Sequence, residues 1–413
     1  MHNGVLKVTR PLSNFSFILL LGALSAFDPI SIDMYLPSFL HISHDFKASI
    51  ATVEMSLSVF FIALALGQLI YGPLADIFGR KQPLLIGMIL YFIASVGCSL
   101  ATTMSTFLFF RFLQGLGGCS GMVITRAIVS DLFDKQQAAH HYSTLMLIMG
   151  VSPIFAPSIG GYLSSYWGWR SIFLMLSFLS LLCIYFTHHF LPETQKKLTP
   201  PLSHLNPKNY ALLIVKDYLD LFRDKSFTRH ALAGGFARGA MFAYISGSPY
   251  VFMNYFKISN NRYGWIFGLN AIGIISASQV NRKLLKHFLI ENIFKNAVVS
   301  LLIFSGILFL SSHIYSSLFA ILIPLFALMT TIGLIMPNSS VLSLSSQAHR
   351  AGIASALLGT IQWSIAFLSS FLVGHFHNKT PTPMIVIICI CCLLTFISFK
   401  MIKESFFLRP SLF

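Results

Sequence analysis

Residues 14–38 read NFSFILLLGALSAFDPISIDMYLPS, an apolar run that carries two acids, Asp28 and Asp33. A helix crosses the hydrocarbon core of a bilayer in about 20 apolar residues, and this run passes that length. A carboxylate at such a depth costs about 2.5–3.5 kcal/mol on insertion scales, so an acid kept there is a functional suspect by default. Lys7 and Arg10 precede the run as they would in a signal peptide. The apolar stretch nevertheless continues past Leu36 without a small-residue cleavage site, which reads as a retained first helix.

The same length slid along the chain gives further spans near 49–72, 82–102, 105–127, 139–163 and 169–191. A second set follows near 228–254, 262–281, 291–312, 315–338, 350–375 and 382–402. With 413 residues, 55% hydrophobic and 10% charged, and a mean hydropathy of +0.74, the chain is too apolar for a soluble domain. The expectation is an all-α integral membrane protein of twelve transmembrane helices. Residues 1–191 form an N-terminal six-helix bundle and residues 228–413 a C-terminal one. Residues 192–227 form a linker between them, in which YALLIVKDYLDLFRDK (210–225) suits a helix on the membrane surface about as well as a plain solvated connection.

A formal charge of +15 would suit nucleic acid if it lay along one polar face, but the basic residues fall in short clusters between apolar spans. Twenty-one lysines and arginines lie in the loops on one side, among them Arg80, Lys81, Arg126 and Lys135. Five lie on the other: Lys47, Arg170, Lys257, Arg262 and Lys379. That asymmetry puts both termini and the linker in the cytoplasm. Arg111 and Arg238 belong to neither set, because they fall inside the fourth and seventh spans.

Counting 1.5 Å per residue, Asp33 and Arg111 each lie roughly 8 Å inside the same boundary. They are placed to pair across the bundle, either as a permanent structural pair or as a carboxylate that alternates between protonated and paired forms, as proton coupling requires. Asp28 is about 7.5 Å deeper and about 140° round the helix, with Pro29 and Pro37 free to bend that geometry. It reads either as a second coupling acid or as a polar residue of a binding site. Arg238 reads as a cavity residue or as a side chain snorkelling from a span end.

Three further stretches stand out. GPLADIFGRK at 72–81 makes a tight reversal at Gly72 and Gly79, with Asp76 facing a basic residue or a helix N-terminus and Arg80 and Lys81 as anchors. RFLQGLGG begins at Arg111. In the fifth span, GVSPIFAPSIGGYL puts Gly150, Pro153, Pro157, Gly160 and Gly161 where a helix can bend or pack closely. SQVNRKLLK at 278–286 faintly repeats the first of these, as two related halves would. HISHD at 41–45 is a weak metal pattern, and CICC at 389–392 lies inside a lipid-length run, where cysteine packs as a small hydrophobe; no metal site is expected. Trp167 and Trp169 read as interface anchors. The chain lacks GxxxxGK[ST], HExxH and GxSxG, so neither ATP hydrolysis nor a membrane hydrolase is supported.

The three stretches resemble the motifs of major facilitator antiporters, in the same order and on the matching spans. DMYLP (33–37), RAIVSDLF (126–133), APSIGG (156–161), LPET (191–194), FAYISGSPYVF (242–252) and AGIASALLG (351–359) resemble the bicyclomycin/chloramphenicol-resistance branch of drug:proton antiporters. The resemblance implies two pseudo-symmetric six-helix halves around a central cavity, and export of small organic compounds against inward proton flow from the bacterial inner membrane. It implies no cofactor and no nucleic acid, with membrane lipid around a monomer. By position, Asp33 and Arg111 match the coupling pair. Asp76, Gly79 and Arg80 match the gating turn, with Gly72, Lys81 and Arg126 beside it. Pro157, Gly160 and Gly161 match the antiporter motif, with Gly150 and Pro153 in the same helix. Tyr35, Phe242, Tyr244 and Arg238 are the candidates for the substrate cavity; an acid at Asp28 and an arginine at Arg238 depart from the family pattern. An uptake symporter or uniporter on the same scaffold is the alternative.

Overall fold

The computed structural model describes residues 14–133, 135–194, 207–315, 317–345, 347 and 351–406; Lys7, Arg10 and residues 195–206 of the linker lie outside them. All regular structure among the described residues is helical. The first half comprises α1 (Asn14–Asp33), α2 (Phe39–Asp45), α3 (Ile50–Phe78), α4 (Lys81–Leu100), α5 (Met104–Leu132), α6 (Lys135–Trp167) and α7 (Arg170–Phe190). After α8 (Pro207–Arg223) come α9 (Lys225–Pro249), α10 (Asn260–Leu284), α11 (Ile290–Ile314), α12 (Leu318–Ser345), α13 (Ala351–His375) and α14 (Thr382–Phe406). Leaving out α2 and α8, twelve long helices remain among the described residues. Nine helical stretches are long and apolar enough to cross a membrane, while α6, α9 and α10 match them in length but are more polar.

Local chemistry sets several of the helix ends. The Ser49 hydroxyl accepts from Thr52 N–H at the start of α3, Thr103 and Thr106 form a reciprocal capping box on α5, and the Asp224 carboxylate accepts from Phe227 N–H to start α9. The first span is not one helix to residue 38. It stops at Asp33, turns through a 3-10 segment at Leu36–Ser38 that holds Pro37, and resumes as α2. Proline accounts for the break, since it donates no backbone N–H and restrains the residue before it. Pro249 likewise precedes the π-helical turn Tyr250–Tyr255.

The packing repeats between the halves. In the first, α4 packs on α5 and α7, α3 on α5, and α1 on α5 and α6; in the second, α11 packs on α12 and α14, α10 on α12, and α9 on α12 and α13. Each relation matches its counterpart position for position. The halves meet along two seams, α3 with α13 and α6 with α10. In each seam the second long helix of one half lies against the fifth of the other, as a two-fold relation requires. The faint repeat at 278–286 is thus clear in the packing.

Glycine permits the tight contacts inside the first half. A Cβ on Gly117 would meet the carbonyl of Gly87 in α4 at 2.6 Å, and one on Gly118 would meet the Asp28 carboxylate at 2.7 Å. The RFLQGLGG stretch is therefore what lets α5 lie against α1 and α4. One face of the bundle carries the α3–α4 turn and α8, and the opposite face carries α2. On the α2 face the halves are in contact: α2 touches the π-helical turn, and the 3-10 segment touches α10. On the turn face, α8 buries Leu221 against Phe227, Ala231 and the start of α13, while Val215, Leu219 and Phe222 form an exposed apolar stripe.

Candidate functional site

Between the halves lies a cavity of about 240 Å³, lined from α1, α5, α6, α9, α10 and α13. Asp28 and Asp33 both face it, together with Arg126, Arg238, Phe242, Tyr244, Asn270 and Trp363. The two acids are 2% and 3% exposed, and neither carboxylate oxygen of Asp28 has a hydrogen-bond partner. Their 140° separation round α1 does not split them, because the cavity wraps that side of the helix. On the opposite wall the Arg238 guanidinium stands over the Trp363 ring at 5.2 Å, with its Nε buried and unbonded. It is held in mid-helix between Gly235 and Gly239, which pack on Ile365, and does not snorkel from a span end.

Aromatic residues shape the remaining wall. Phe242 meets Phe61 edge-on at 4.5 Å and lies 5.2 Å from Trp363. Tyr244 stacks on Phe267 at 5.8 Å, and its hydroxyl accepts from Asn270 Nδ2 at 3.1 Å. Tyr35 does not line the cavity. It is fully buried in the turn after α1, its hydroxyl 3.0 Å from Ser56 Oγ. The helix break at Asp33 carries it away from the wall that Asp33 faces.

Arg111 and Asp33 form no ion pair. The Arg111 guanidinium is sealed in an aromatic box, 4.3 Å from each of the Tyr35 and Phe60 ring centroids and 5.8 Å from that of Phe173. Its Nη1 donates to Gln114 Oε1 at 2.5 Å and to the Ser31 carbonyl at 3.3 Å, while Gln114 donates on to Ser95 and Ser31 meets the Tyr91 hydroxyl. Equal depth was legible from spacing, but direction was not. Ser31 and Asp33 are about 200° apart round α1, so an arginine held at one is turned from the other.

At the α3–α4 turn every charge is engaged. Arg80 bridges Asp76 at 2.7 Å and Asp131 at 2.8 Å, and Lys81 Nζ donates to the His188 carbonyl at 2.7 Å. The Glu193 carboxylate accepts from the backbone N–H groups of Arg80 and Lys81 at 2.8 and 3.1 Å, an anion at the N-terminus of α4. Gly79 adopts φ +85°, and a Cβ there would strike the Glu193 carboxylate, so the turn requires glycine on two counts. Gly72 has open space around it. Arg126 is not part of this network: α5 continues to Leu132, six residues beyond it, which places Arg126 inside the cavity. Glu193 and Asp131 were visible only as members of the LPET and RAIVSDLF stretches, with no sign of which groups they bind.

Along α6, Gly150 and Pro153 line the cavity. A Cβ at Gly150 would touch Ile275 of α10, one at Gly160 would fall on the Met34 carbonyl, and one at Gly161 would touch Pro37; Pro157 is buried. The proline–glycine helix thus packs on both the α1 turn and the other half. HISHD is otherwise occupied, with His41 Nδ1 3.0 Å from Ser164 Oγ and Asp45 bound by Trp169 and Arg170. No cluster able to hold a metal occurs among the described residues. That bond also explains why Trp169 is buried rather than anchored at an interface. Sequence reading missed Glu54, which is fully buried on α3 with His377 Nδ1 3.7 Å from its carboxylate.

The sequence profile of the Major Facilitator Superfamily matches residues 19–370. The chain belongs to that superfamily. It is 36% identical over 367 residues to the uncharacterized MFS-type transporter YdgK of Bacillus subtilis, covering 88% of this chain and 90% of that one. It is 28% identical to a bicyclomycin resistance protein homolog of Haemophilus influenzae, covering 94% and 96% of the two chains. It is 29% identical to the multidrug resistance protein MdtL of Shigella dysenteriae, covering 84% and 85%. Among solved structures, a D-xylose-proton symporter superposes with a TM-score of 0.73 at 17% identity, covering 95% of this chain and 98% of that one. A bacterial homolog of the human lysosomal transporter Spinster gives 0.71 at 14%, covering 96% and 98%. The protein is a multi-pass membrane transporter with the major facilitator fold, not an enzyme.

Proposed function

We propose that this transporter exports small organic compounds by proton antiport, the halves 1–191 and 228–413 rocking about the cavity while 192–227 tethers them. The observation that carries this reading is the pair of buried acids on α1, both facing a cavity between the two halves. The bicyclomycin-resistance and multidrug-resistance names of two relatives support the direction of transport. A titratable acid in a cavity wall can hold either a proton or a donor group of the solute. In the cycle proposed, the cavity opens outward, Asp33 takes a proton and the solute leaves; opened inward, Asp33 gives the proton up as a new solute binds. Asp28 serves as a second acid in the same wall. Arg238 across from them suits a solute with an anionic or electron-rich end, and Phe242, Tyr244 and Trp363 suit a flat apolar body.

The lysine and arginine distribution supports a cytoplasmic turn face, with both termini cytoplasmic in the bacterial inner membrane. A monomer surrounded by lipid completes this reading. A membrane potential of 100 mV contributes about 2.3 kcal/mol per proton, enough for roughly a 50-fold gradient of a neutral solute. Everted membrane vesicles with an acid lumen provide the test. Wild-type vesicles are expected to accumulate compounds from a panel of dyes and antibiotics, and Asp33→Asn vesicles to equilibrate without accumulating. Uphill accumulation by the variant at the wild-type level would overturn the assignment of Asp33.

A further inference from the structure

Away from the cavity, at the α2-face end of the seam between α3 and α13, Glu54 is buried with 0% exposure. Neither of its carboxylate oxygens has a hydrogen-bond partner, and His377 Nδ1 lies 3.7 Å from Oε2. The two residues come from different halves. Glu54 is in the second turn of α3, and His377 follows the end of α13, with its backbone N–H donating to the Gly374 carbonyl. Gly374 makes the approach possible, since a Cβ there would lie 3.2 Å from the Ala51 carbonyl and 3.6 Å from Glu54 Cβ. From the π-helical turn after α9, Tyr250 closes the third side, its ring edge-on to His377 at 4.3 Å.

We propose that Glu54 and His377 together bind one proton, and that this site latches the α2 face shut while the proton is held. With one proton shared, the pair is neutral overall, either as acid beside imidazole or as carboxylate beside imidazolium. Without it, a lone carboxylate would remain in a seam of apolar side chains, an arrangement that burial strongly disfavours. Parting the halves on this face delivers Glu54 to water and removes the conflict. Closure of the face is therefore linked to uptake of a proton, and loss of the proton favours opening.

The surrounding charges leave this balance to the two residues. α3 has no other ionisable side chain from residue 50 to 70. On α2, Asp45 is neutralised by Arg170, His41 is bonded to Ser164, and His44 is exposed. His375 stacks on Phe371, and Tyr250 and Tyr255 are phenols. Burial and the nearby charge of Lys379 hold the His377 imidazole below its ordinary pKa. Held low in this way, the His377 imidazole is neutral in the closed seam unless it shares the proton of Glu54.

The proposal rests on the reading that the halves part on this face, and its test separates the two. Hydrogen–deuterium exchange is followed on the full-length protein in lipid nanodiscs at pH 6 and pH 8, with rates corrected for intrinsic exchange. The segment 376–381 is expected to exchange at least about fivefold faster at pH 8, within the tenfold per pH unit that one linked proton allows. The control segment 101–104, within one half, is expected not to change. Glu54→Gln, neutral at both pH values, is expected to stay slow at both. A wild-type protein without the step, or a Glu54→Gln protein that keeps it, overturns the proposal. Should Glu54→Gln not be recovered folded, His377→Gln is expected to displace the step by about one pH unit or more, and an undisplaced step overturns it equally. The step is expected to persist in Asp33→Asn, so failure of proton-driven export and failure of the latch are read independently.

Discussion

The α3–α4 turn and the central cavity hold similar numbers of charges and treat them in opposite ways. At the turn, Arg80 is shared by Asp76 and Asp131, while Glu193 satisfies two backbone N–H groups of α4. In the cavity, both oxygens of Asp28 and the Nε of Arg238 are buried without a hydrogen-bond partner. A saturated network fixes geometry. Unsaturated groups around a cavity keep their bonding capacity for a proton or a solute, at a cost in stability that the rest of the fold must bear. The difference separates anchoring from transport more sharply than burial or motif membership does.

Substitutions can break this contrast. The largest stability effect is expected at the turn: Asp131→Ala removes one of the two carboxylates that hold Arg80 and should lower unfolding stability by about 2–3 kcal/mol, seen as a fall in the thermal midpoint in detergent. Gly79→Ala should follow at about 1–3 kcal/mol, for an L-residue forced into a backbone region that is essentially glycine-only, with the clash on Glu193 adding to it. Arg238→Met should leave the thermal midpoint nearly unchanged while weakening binding of an anionic aromatic compound by about fivefold, equivalent to about 1 kcal/mol of lost cation–π and charge interaction; quenching of Trp363 fluorescence reads this out in a chain whose other tryptophans are replaced by phenylalanine. The smallest stability change belongs to Asp28→Asn, within about 0.5 kcal/mol, because that acid has no hydrogen-bonded partner to lose. If Asp28→Asn proved as destabilising as Asp131→Ala, the contrast between the two regions would fail.

Depth was legible in the sequence and direction was not. Apolar run lengths located the long helices, and 1.5 Å per residue placed Asp33 and Arg111 at one level. Which way each pointed depended on the break after Asp33 and on the carbonyl of Ser31, neither of which any periodicity encodes. For the same reason Tyr35 left the expected cavity and Arg126 entered it. Glu54 escaped notice because its partner lies in the other half of the chain, which no spacing along α3 reveals. The motif stretches were legible as a set because each one occupies a constrained contact: Gly118 against Asp28, Gly160 against Met34, and Gly79 against Glu193.

The connection between the halves is pinned at both ends. At its start, Glu193 binds the beginning of α4. At its finish, Asp224 caps α9 and accepts from Gln347 Nε2 at 2.8 Å. Each half therefore holds its own end of the connection, so the two are expected to assemble into a working transporter when supplied as separate polypeptides cut between those anchors.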